Sequence, residues 1–413
     1  MIQDEEFQKR LKTGIFIFVL ISACTGFYMG VVDLIMSNYF KEAYDATAAQ
    51  RGLIEFPREL PGIASLFVIT AFSFLRDIRT AVIAQLFGVI GLVVLGVFHP
   101  SFGIMLIFLF IFSLGQHMFI PLGDSIGLSL ATRDNMGRIL GRFKSVSMAF
   151  SMIAGIICFF GFRSGFFHFE APVLIFLICA GVFLACAVLL LILRGVVGKE
   201  IEGRMEVSKL VFRKEYLRYY VISAIYGSRK QIMFVFSPWV LIELLGFRAD
   251  SMSILGVIGA FIGIFFIPFI GRCVDRFGAR KVMMIEALCF IALYIAYGML
   301  SKWIVDQTFI LAGLALFSVY LLFICDRMTM QFYMVRAIYL RSIAIKPEDV
   351  TPSLSTGMAI DHVFAIVCAF LCGIVWDMWG PQYVFIIAAI LSAANFGVVF
   401  GIKKDAVIDK TAS

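Results

Sequence analysis

Ionisable residues lie in the middle of long apolar segments of this chain, where water cannot solvate them. Arg229 and Lys230 stand at the centre of one such segment, and Tyr226 precedes them by three and four residues. A charged side chain in hydrocarbon is costly unless it is paired or hydrated, so it is a functional hypothesis by default. Spacings of three and four place Tyr226 on one helical stripe with each cation. The group predicts a site that holds an anionic group.

Carboxylates inside other apolar segments could bind and release a proton. Asp326 is followed directly by Arg327, and Asp361 directly by His362, at similar depths in two later segments. Burial disfavours the charged form of a carboxyl group, so its surroundings control its protonation. An Asp–Arg pair that only locks two helices is the alternative for Asp326. We expect proton coupling at Asp33, Glu55, Glu59, Asp326, Asp361 and His362, and substrate binding at Arg229, Lys230, Arg327, Tyr226 and His117.

A cluster of charges near the second apolar segment is interrupted by prolines. Glu55, Arg58 and Glu59 are spaced three and four residues apart, so they share one helical face. Pro57 and Pro61 lie in the same turns and free backbone carbonyls that a neighbouring helix or a cavity must satisfy. The cluster is therefore either functional or an intrahelical salt bridge that fixes the kink.

Three further ionisable residues lie in apolar segments of the first half. Asp33 is on the first segment, in its outer third. His117 and Asp124 are seven residues apart on the fourth, and therefore on one stripe of a helix. A functional role and an interfacial, structural one are both open for these residues.

The segments that carry these residues predict an all-α membrane protein. Hydrophobic residues make up 61% of the 413 and charged ones 15%, against about 25% charged in soluble domains. A membrane-spanning helix needs roughly 20 mostly apolar residues. Twelve segments meet this length and predict spans at 13–39, 47–75, 78–98, 102–130, 140–162, 172–193, 216–245, 252–270, 281–300, 308–335, 353–378 and 383–400.

The distribution of the 35 Lys and Arg residues predicts the orientation in the membrane. Most lie in the two tails, in the even-numbered loops and at the span ends beside them. Only five are in or beside the odd-numbered loops, namely Lys41, Arg51, Arg163, Arg248 and Lys302. This positive-inside bias places both termini in the cytoplasm, with the spans in a cell membrane. The formal charge of +7 therefore does not indicate nucleic acid as a partner.

The hydrophilic stretch after Arg194 divides the chain into halves. We predict a six-helix bundle over 1–195, a cytoplasmic linker over 196–214, and a second six-helix bundle with a short tail over 215–413. Transporters built from repeats have this layout and bind substrate near the bilayer midplane between the repeats. The nine cysteines lack metal-ligand spacing, so neither a metal nor a cofactor is expected.

The loop between the eighth and ninth predicted spans carries the most specific motif, GRCVDRFGARK at 271–281. It resembles the signature loop of the major facilitator superfamily in its glycine, its Asp-Arg four and five residues later, its second glycine and its basic pair. The resemblance implies a latch on the cytoplasmic side, formed by Gly271, Asp275, Arg276, Gly278 and Arg280. The corresponding stretch at 73–79 keeps one acidic and two basic residues but lacks the glycines.

Together these patterns predict a proton-coupled secondary transporter, not an enzyme. Ionisable residues inside the first-half spans are mostly acidic, and those of the second half are more basic. A cavity between such walls suits a small anionic or zwitterionic metabolite, and we expect the transporter to be a monomer in the bilayer. A drug/proton antiporter for lipophilic cations, favoured by 45 Phe and 19 Met, is the alternative. Sodium coupling, and a sensor or enzyme on a transporter-like fold, also remain open.

Overall fold

The computed structural model describes residues 2–72, 74–131, 135–201, 212–307, 314–346 and 349–402. Within these ranges the chain is helical and contains no β-strand. In chain order the α-helices are α1 Ile2–Tyr44, α2 Ala48–Ala71, α3 Asp77–Val97, α4 Phe102–Ser129, α5 Met136–Arg163, α6 Leu174–Ile201, α7 Leu217–Trp239, α8 Ala249–Phe277, α9 Ala279–Val305, α10 Leu314–Thr329, α11 Tyr333–Ile343, α12 Val350–Trp379 and α13 Pro381–Phe400.

Ten of the described helical stretches are long and apolar enough to cross a membrane, with α10 and α11 counted as one. This confirms a multi-pass membrane protein. Helices α2 and α7 are not among the ten. They carry the charges noted above, including Glu55, Arg58, Arg229 and Lys230, which lower their mean hydropathy. The two helices that fall short therefore carry five of the eleven predicted substrate and proton residues.

One compact unit, unit 1, comprises Met1–Tyr44 and Pro57–Val207. In it α1 packs along α5 and α6, and α3 packs along α4 and α6. Glycines set the closest approach, because a Cβ atom on Gly26 would lie only 2.0 Å from the carbonyl oxygen of Ser147 in α5. Small residues of this kind let membrane helices pack backbone to backbone.

A second compact unit, unit 2, comprises Asp45–Phe56 and Ser208–Ser413. Its main contacts are α7 against α12 and α9 against α13. A π-helical turn, Val240–Leu244, extends α7 beyond Pro238. The predicted linker, 196–214, lies partly outside the described residues.

The first turns of α2 belong to unit 2, although the rest of that helix belongs to unit 1. The division falls just before Pro57, the first of the two prolines inside α2. Gly52 lies against the carbonyl of Ala369 in α12, where a Cβ atom would come within 2.3 Å. Gly373 makes the reciprocal approach, 2.5 Å from the carbonyl oxygen of Ala48. These paired glycines hold the start of α2 against α12.

The tenth predicted span, 308–335, differs from the helix pair that occupies this stretch. Helix α10 ends at Thr329, a 3-10 turn follows at Met330–Phe332, and α11 continues to Ile343. The apolar run ends near 335, so hydropathy alone placed Arg336 outside the span. Its position within α11 instead places it beside charges of α12.

Candidate functional site

Two cations and one carboxylate meet in unit 2, where α7, α11 and α12 pack together. Lys230 Nζ lies 2.9 Å from Asp361 Oδ1, and Arg336 lies 3.7 Å from Asp361 Oδ2. The Arg336 guanidinium stands 3.4 Å from the centre of the Tyr226 ring. Lys230 keeps 23% of its side chain exposed, whereas Tyr226 is buried. These four residues form the Asp361 cluster, which has one more positive than negative charge.

The backbone of α7 brings Lys230 to Asp361. Gly227 lies so close to α12 that a Cβ atom there would come within 2.3 Å of the Asp361 carbonyl oxygen. One turn earlier on α12, Gly357 leaves room for the Tyr219 ring of α7. Tyr226, Lys230 and Asp361, each predicted separately as a site residue, are thus brought together because small residues let α7 and α12 touch.

The Arg229 side chain points away from Lys230 and into the interface between α7 and α9. Its guanidinium donates to Glu286, and the two side chains are 1% and 2% exposed. The Phe290 ring covers it at 4.3 Å, and Tyr294 donates a hydrogen bond of 2.8 Å to the Arg229 carbonyl. Adjacent helical residues are about 100° apart. The two cations therefore have different environments, one sealed and one partly open.

Asp326 is fully buried on α10 among hydroxyl groups. The Ser237 hydroxyl lies 3.2 Å from Asp326 Oδ2 and 2.7 Å from the Tyr297 hydroxyl. One serine proton can serve only one of these acceptors at a time. Arg327, 25% exposed, lies 3.7 Å from Asp326 Oδ2 and stacks on Phe323 at 4.7 Å. Asp326 Oδ1 is buried and has no hydrogen-bond partner among the described residues.

Glu55 is fully buried in the part of α2 that belongs to unit 2. It accepts from Arg51, one turn earlier, and from Gln231 of α7 at 2.5 Å. The sequence pattern suggested Arg58 as its partner in a salt bridge within α2. The structure pairs Glu55 with Arg51, which is buried although the charge count placed it beside an odd-numbered loop.

The other predicted first-half residues belong to unit 1. His117 is partly buried on α4, with its Nδ1 2.9 Å from the Ser113 carbonyl. The Ser113 hydroxyl donates to the Arg58 carbonyl at 2.6 Å, next to the proline bend of α2. Glu59 is partly buried, and Asp33 is exposed on α1. A side-chain hydroxyl of α4 thus donates to the backbone of the proline-containing part of α2.

The motif at 271–281 forms the end of α8 and the start of α9. Gly278 alone joins the two helices, with φ of +81°, a conformation that favours glycine. Arg280 donates to the carbonyl of Phe400 at 2.7 Å and so caps α13. Asp275 and Arg276 are exposed in the last turn of α8. A carboxylate in the last turn lies near the negative end of the helix dipole, which lowers helix stability by about 0.3 to 1 kcal/mol. Helix stability therefore does not explain the presence of Asp275.

Four charged or polar residues of these clusters were missed by the sequence reasoning, namely Arg51, Gln231, Glu286 and Arg336. Glu286 lies in the ninth predicted span, so the search for ionisable residues inside spans could have found it. Gln231 directly follows the Arg229-Lys230 pair and carries no charge. Arg51 and Arg336 lie near span ends, where a charge is normally interfacial.

The comparisons with known proteins agree on one architecture. A model of the Major Facilitator Superfamily matches residues 18–344. The nucleoside transporter NupG superposes with a TM-score of 0.74 at 16% identity, over 95% of this chain and 100% of that one. A D-xylose-proton symporter gives 0.66 at 13% identity, over 95% and 98%. A POT family transporter in complex with a thioalcohol conjugated peptide gives 0.70 at 10% identity, over 94% and 95%.

No curated protein sequence matches the chain significantly. Sequence identities this low support a shared fold but do not indicate the transported substrate. The family model, however, covers well over half of the sequence, and its match includes the motif loop at 271–281. This chain belongs to the Major Facilitator Superfamily and is a multi-pass membrane transporter, not an enzyme.

Proposed function

We propose that this protein is a secondary active transporter that moves a small anionic or zwitterionic metabolite by alternating access, coupled to protons. The Asp361 cluster carries the proposal, because two cations there share a carboxylate and one of them is partly exposed. An anionic group of a substrate can take the place of the Asp361 carboxylate beside Lys230 and Arg336. Arginine suits this role because its planar guanidinium binds carboxylates in a defined geometry.

Protonation of Asp361 provides a physical link between proton and substrate. A neutral Asp361 no longer competes for Lys230 and Arg336, so the two cations attract an anion more strongly. By reciprocity, a bound anion raises the affinity of Asp361 for a proton. Proton and anion therefore bind together, and the pair crosses the membrane in one cycle.

The remaining buried charges serve the same proposal in different ways. Asp326 is a second candidate proton site, because its Oδ1 is buried and no described residue donates to it. Arg229 is assigned to the helix framework, because Glu286 already neutralises it in a sealed interface. Arg327, partly exposed, stays a candidate substrate ligand. His117, Glu59 and Asp33 stay candidates on unit 1.

The arrangement in the membrane is proposed from the charge pattern. We infer twelve spans, with α2 and α7 included, and both termini in the cytoplasm. The two halves would rock about the substrate, as in other transporters built from repeats. A monomer in a cell membrane is the simplest assembly for this cycle.

Transport by purified protein in liposomes tests the proposal. A panel of labelled carboxylates, phosphates and amino acids is added outside, with the exterior either more acidic than the lumen or at equal pH. We expect one class of anion or zwitterion to accumulate only with the pH gradient, and sodium gradients to have no effect. Accumulation driven by sodium alone would refute proton coupling, and transport of lipophilic cations alone would refute the anion assignment.

Asp361→Asn distinguishes the coupling mechanism from a purely structural role of that carboxyl. Asparagine imitates the protonated acid in size, so substrate should bind tightly at all pH values. The pH gradient should no longer drive accumulation, although exchange of substrate across the membrane continues. A variant that still accumulates substrate with the gradient would place the coupling proton elsewhere, with Asp326 as the next position to test.

A further inference from the structure

Unit 1 contains a cavity of about 310 Å³ that the anion-binding proposal does not use. It lies between α1, α4 and α5. Gly26 and Gly30 draw α1 tightly onto α5, whereas α4 touches both helices only slightly. The gap that results has the size of a small-ligand pocket, for which roughly 300 to 1,000 Å³ is typical.

Three phenylalanines from the three helices line this cavity. Phe18, Phe119 and Phe143 are each almost fully buried. The rings of Phe18 and Phe143 meet edge to face with centres 4.7 Å apart. Aromatic rings pack favourably against one another. Such walls favour a ligand with an aromatic body.

The hydroxyl groups of the cavity offer hydrogen-bond acceptors. Ser22 donates to the Phe18 carbonyl at 2.8 Å, and Thr25 donates to the Ile21 carbonyl at 2.9 Å. Each hydroxyl proton is thereby occupied within α1, so these hydroxyls can serve a ligand only as acceptors. A ligand with N–H donors matches these oxygens better than a ligand with acceptors.

An ion pair completes the lining. Asp124 of α4 and Lys144 of α5 lie 2.8 Å apart, with 52% and 70% of their side chains exposed. Solvent-exposed ion pairs of this kind are weak. A ligand ammonium can therefore displace Lys144 from Asp124 at little cost.

We propose that this cavity binds a primary arylalkyl ammonium ion, with its ring among the three phenylalanines and its ammonium on Asp124. The proposed site consists of unit 1 residues and the Asp361 cluster of unit 2 residues, and ammonium binding does not depend on anion transport. The proposed ligand belongs to the lipophilic cations, which the sequence composition suggested as an alternative class of transported substrate.

Three probes with one aromatic body test the charge preference. 2-Phenylethylammonium, 2-phenylethanol and 3-phenylpropanoate are titrated into purified full-length protein in lipid nanodiscs, and heat and melting temperature are recorded. We expect saturable binding of the ammonium, severalfold weaker binding of the alcohol, and no binding of the carboxylate. Equal binding of all three, or preference for the carboxylate, overturns the proposal.

Two variants of the ion pair should move the affinity in opposite directions. Asp124→Asn should weaken binding of 2-phenylethylammonium severalfold, and Lys144→Gln should strengthen it by releasing the carboxylate. Asp306→Asn is the matched control, because Lys302 and Asp306 form an equally short and similarly exposed pair in unit 2. Unchanged affinity in Asp124→Asn, or an equal loss in the control, refutes the assignment.

A further variant separates this site from the proposed transport function. Lys230→Ala should abolish anion-dependent stabilisation but change ammonium affinity less than twofold. A large loss of ammonium binding in Lys230→Ala would place the ligand outside the cavity and overturn the site. Failure of anion transport with intact ammonium binding would refute only the proposed cargo.

Discussion

Arg229 and Lys230 are adjacent, yet their truncations should have opposite consequences. Arg229→Ala leaves the Glu286 carboxylate buried without its counter-ion, since both side chains are almost fully sealed. Lys230→Ala leaves Asp361 with Arg336, and Lys230 itself is partly open. We expect the first variant to lose stability and the second to lose substrate binding.

The magnitudes follow from burial. Removing one partner of a buried ion pair costs about 3 to 5 kcal/mol, which lowers the ratio of folded to unfolded protein by a factor of at least about 100. Truncation of Lys230 should cost less, because its side chain is 23% exposed and Arg336 stays beside the Asp361 carboxylate. Replacement of both Arg229 and Glu286 by Met and Leu should restore most of the loss, because no buried charge is then left alone.

Thermal unfolding in detergent, with and without transported substrate, measures both effects. Arg229→Ala should melt far below wild type without substrate, and the Arg229→Met, Glu286→Leu double variant should melt near wild type. Lys230→Ala should melt near wild type but show no substrate-induced shift, which for wild type is about 2.7 kcal/mol at a hundredfold the Kd. Similar stability of the two alanine variants, or a normal shift in Lys230→Ala, would refute the division of roles.

Three other outcomes follow from the structure. Asp275→Asn should slow transport while leaving insertion and melting temperature nearly unchanged, because the carboxylate is exposed; poor accumulation in the membrane would instead make it a folding residue. In a cysteine-free background, Lys302→Cys should react with an impermeant thiol reagent from outside and Lys214→Cys only after permeabilisation, and the reverse pattern would invert the topology. Gly227→Ala should lower stability by about 1 to 3 kcal/mol by forcing α7 from Asp361, and an unchanged melting curve would argue against this close packing.

For this chain, hydropathy predicts the long apolar helices but not the partners of the buried charges. Lipid offers the backbone no hydrogen bonds, so long apolar segments must be helices, and their positions can be read from the sequence. Ten of them are confirmed as long apolar helices. The family was also visible in one loop, because a one-residue turn at Gly278 needs a conformation that few other residues adopt.

Partners of the buried charges could not be predicted in the same way. Hydropathy gives the depth of a residue but not the helix that it faces. The facing helix depends on where helices approach closely, as at Gly52 and Gly227. Arg51 and Arg336 looked interfacial because each lies near the end of an apolar run. Each of these arginines points into the protein because a carboxylate supplies its counter-charge, either on the same helix or on a neighbouring one.

What the sequence by itself determined is the membrane class, the helices and the presence of charges that lipid would not tolerate alone. Only the tertiary structure decided which of those charges are sealed and which are open. Arg229 and Lys230 differ by one residue and about 100° of helical rotation. That rotation places one side chain against Glu286 and the other beside Asp361, because packing, and not composition, determines which face of α7 meets each neighbour.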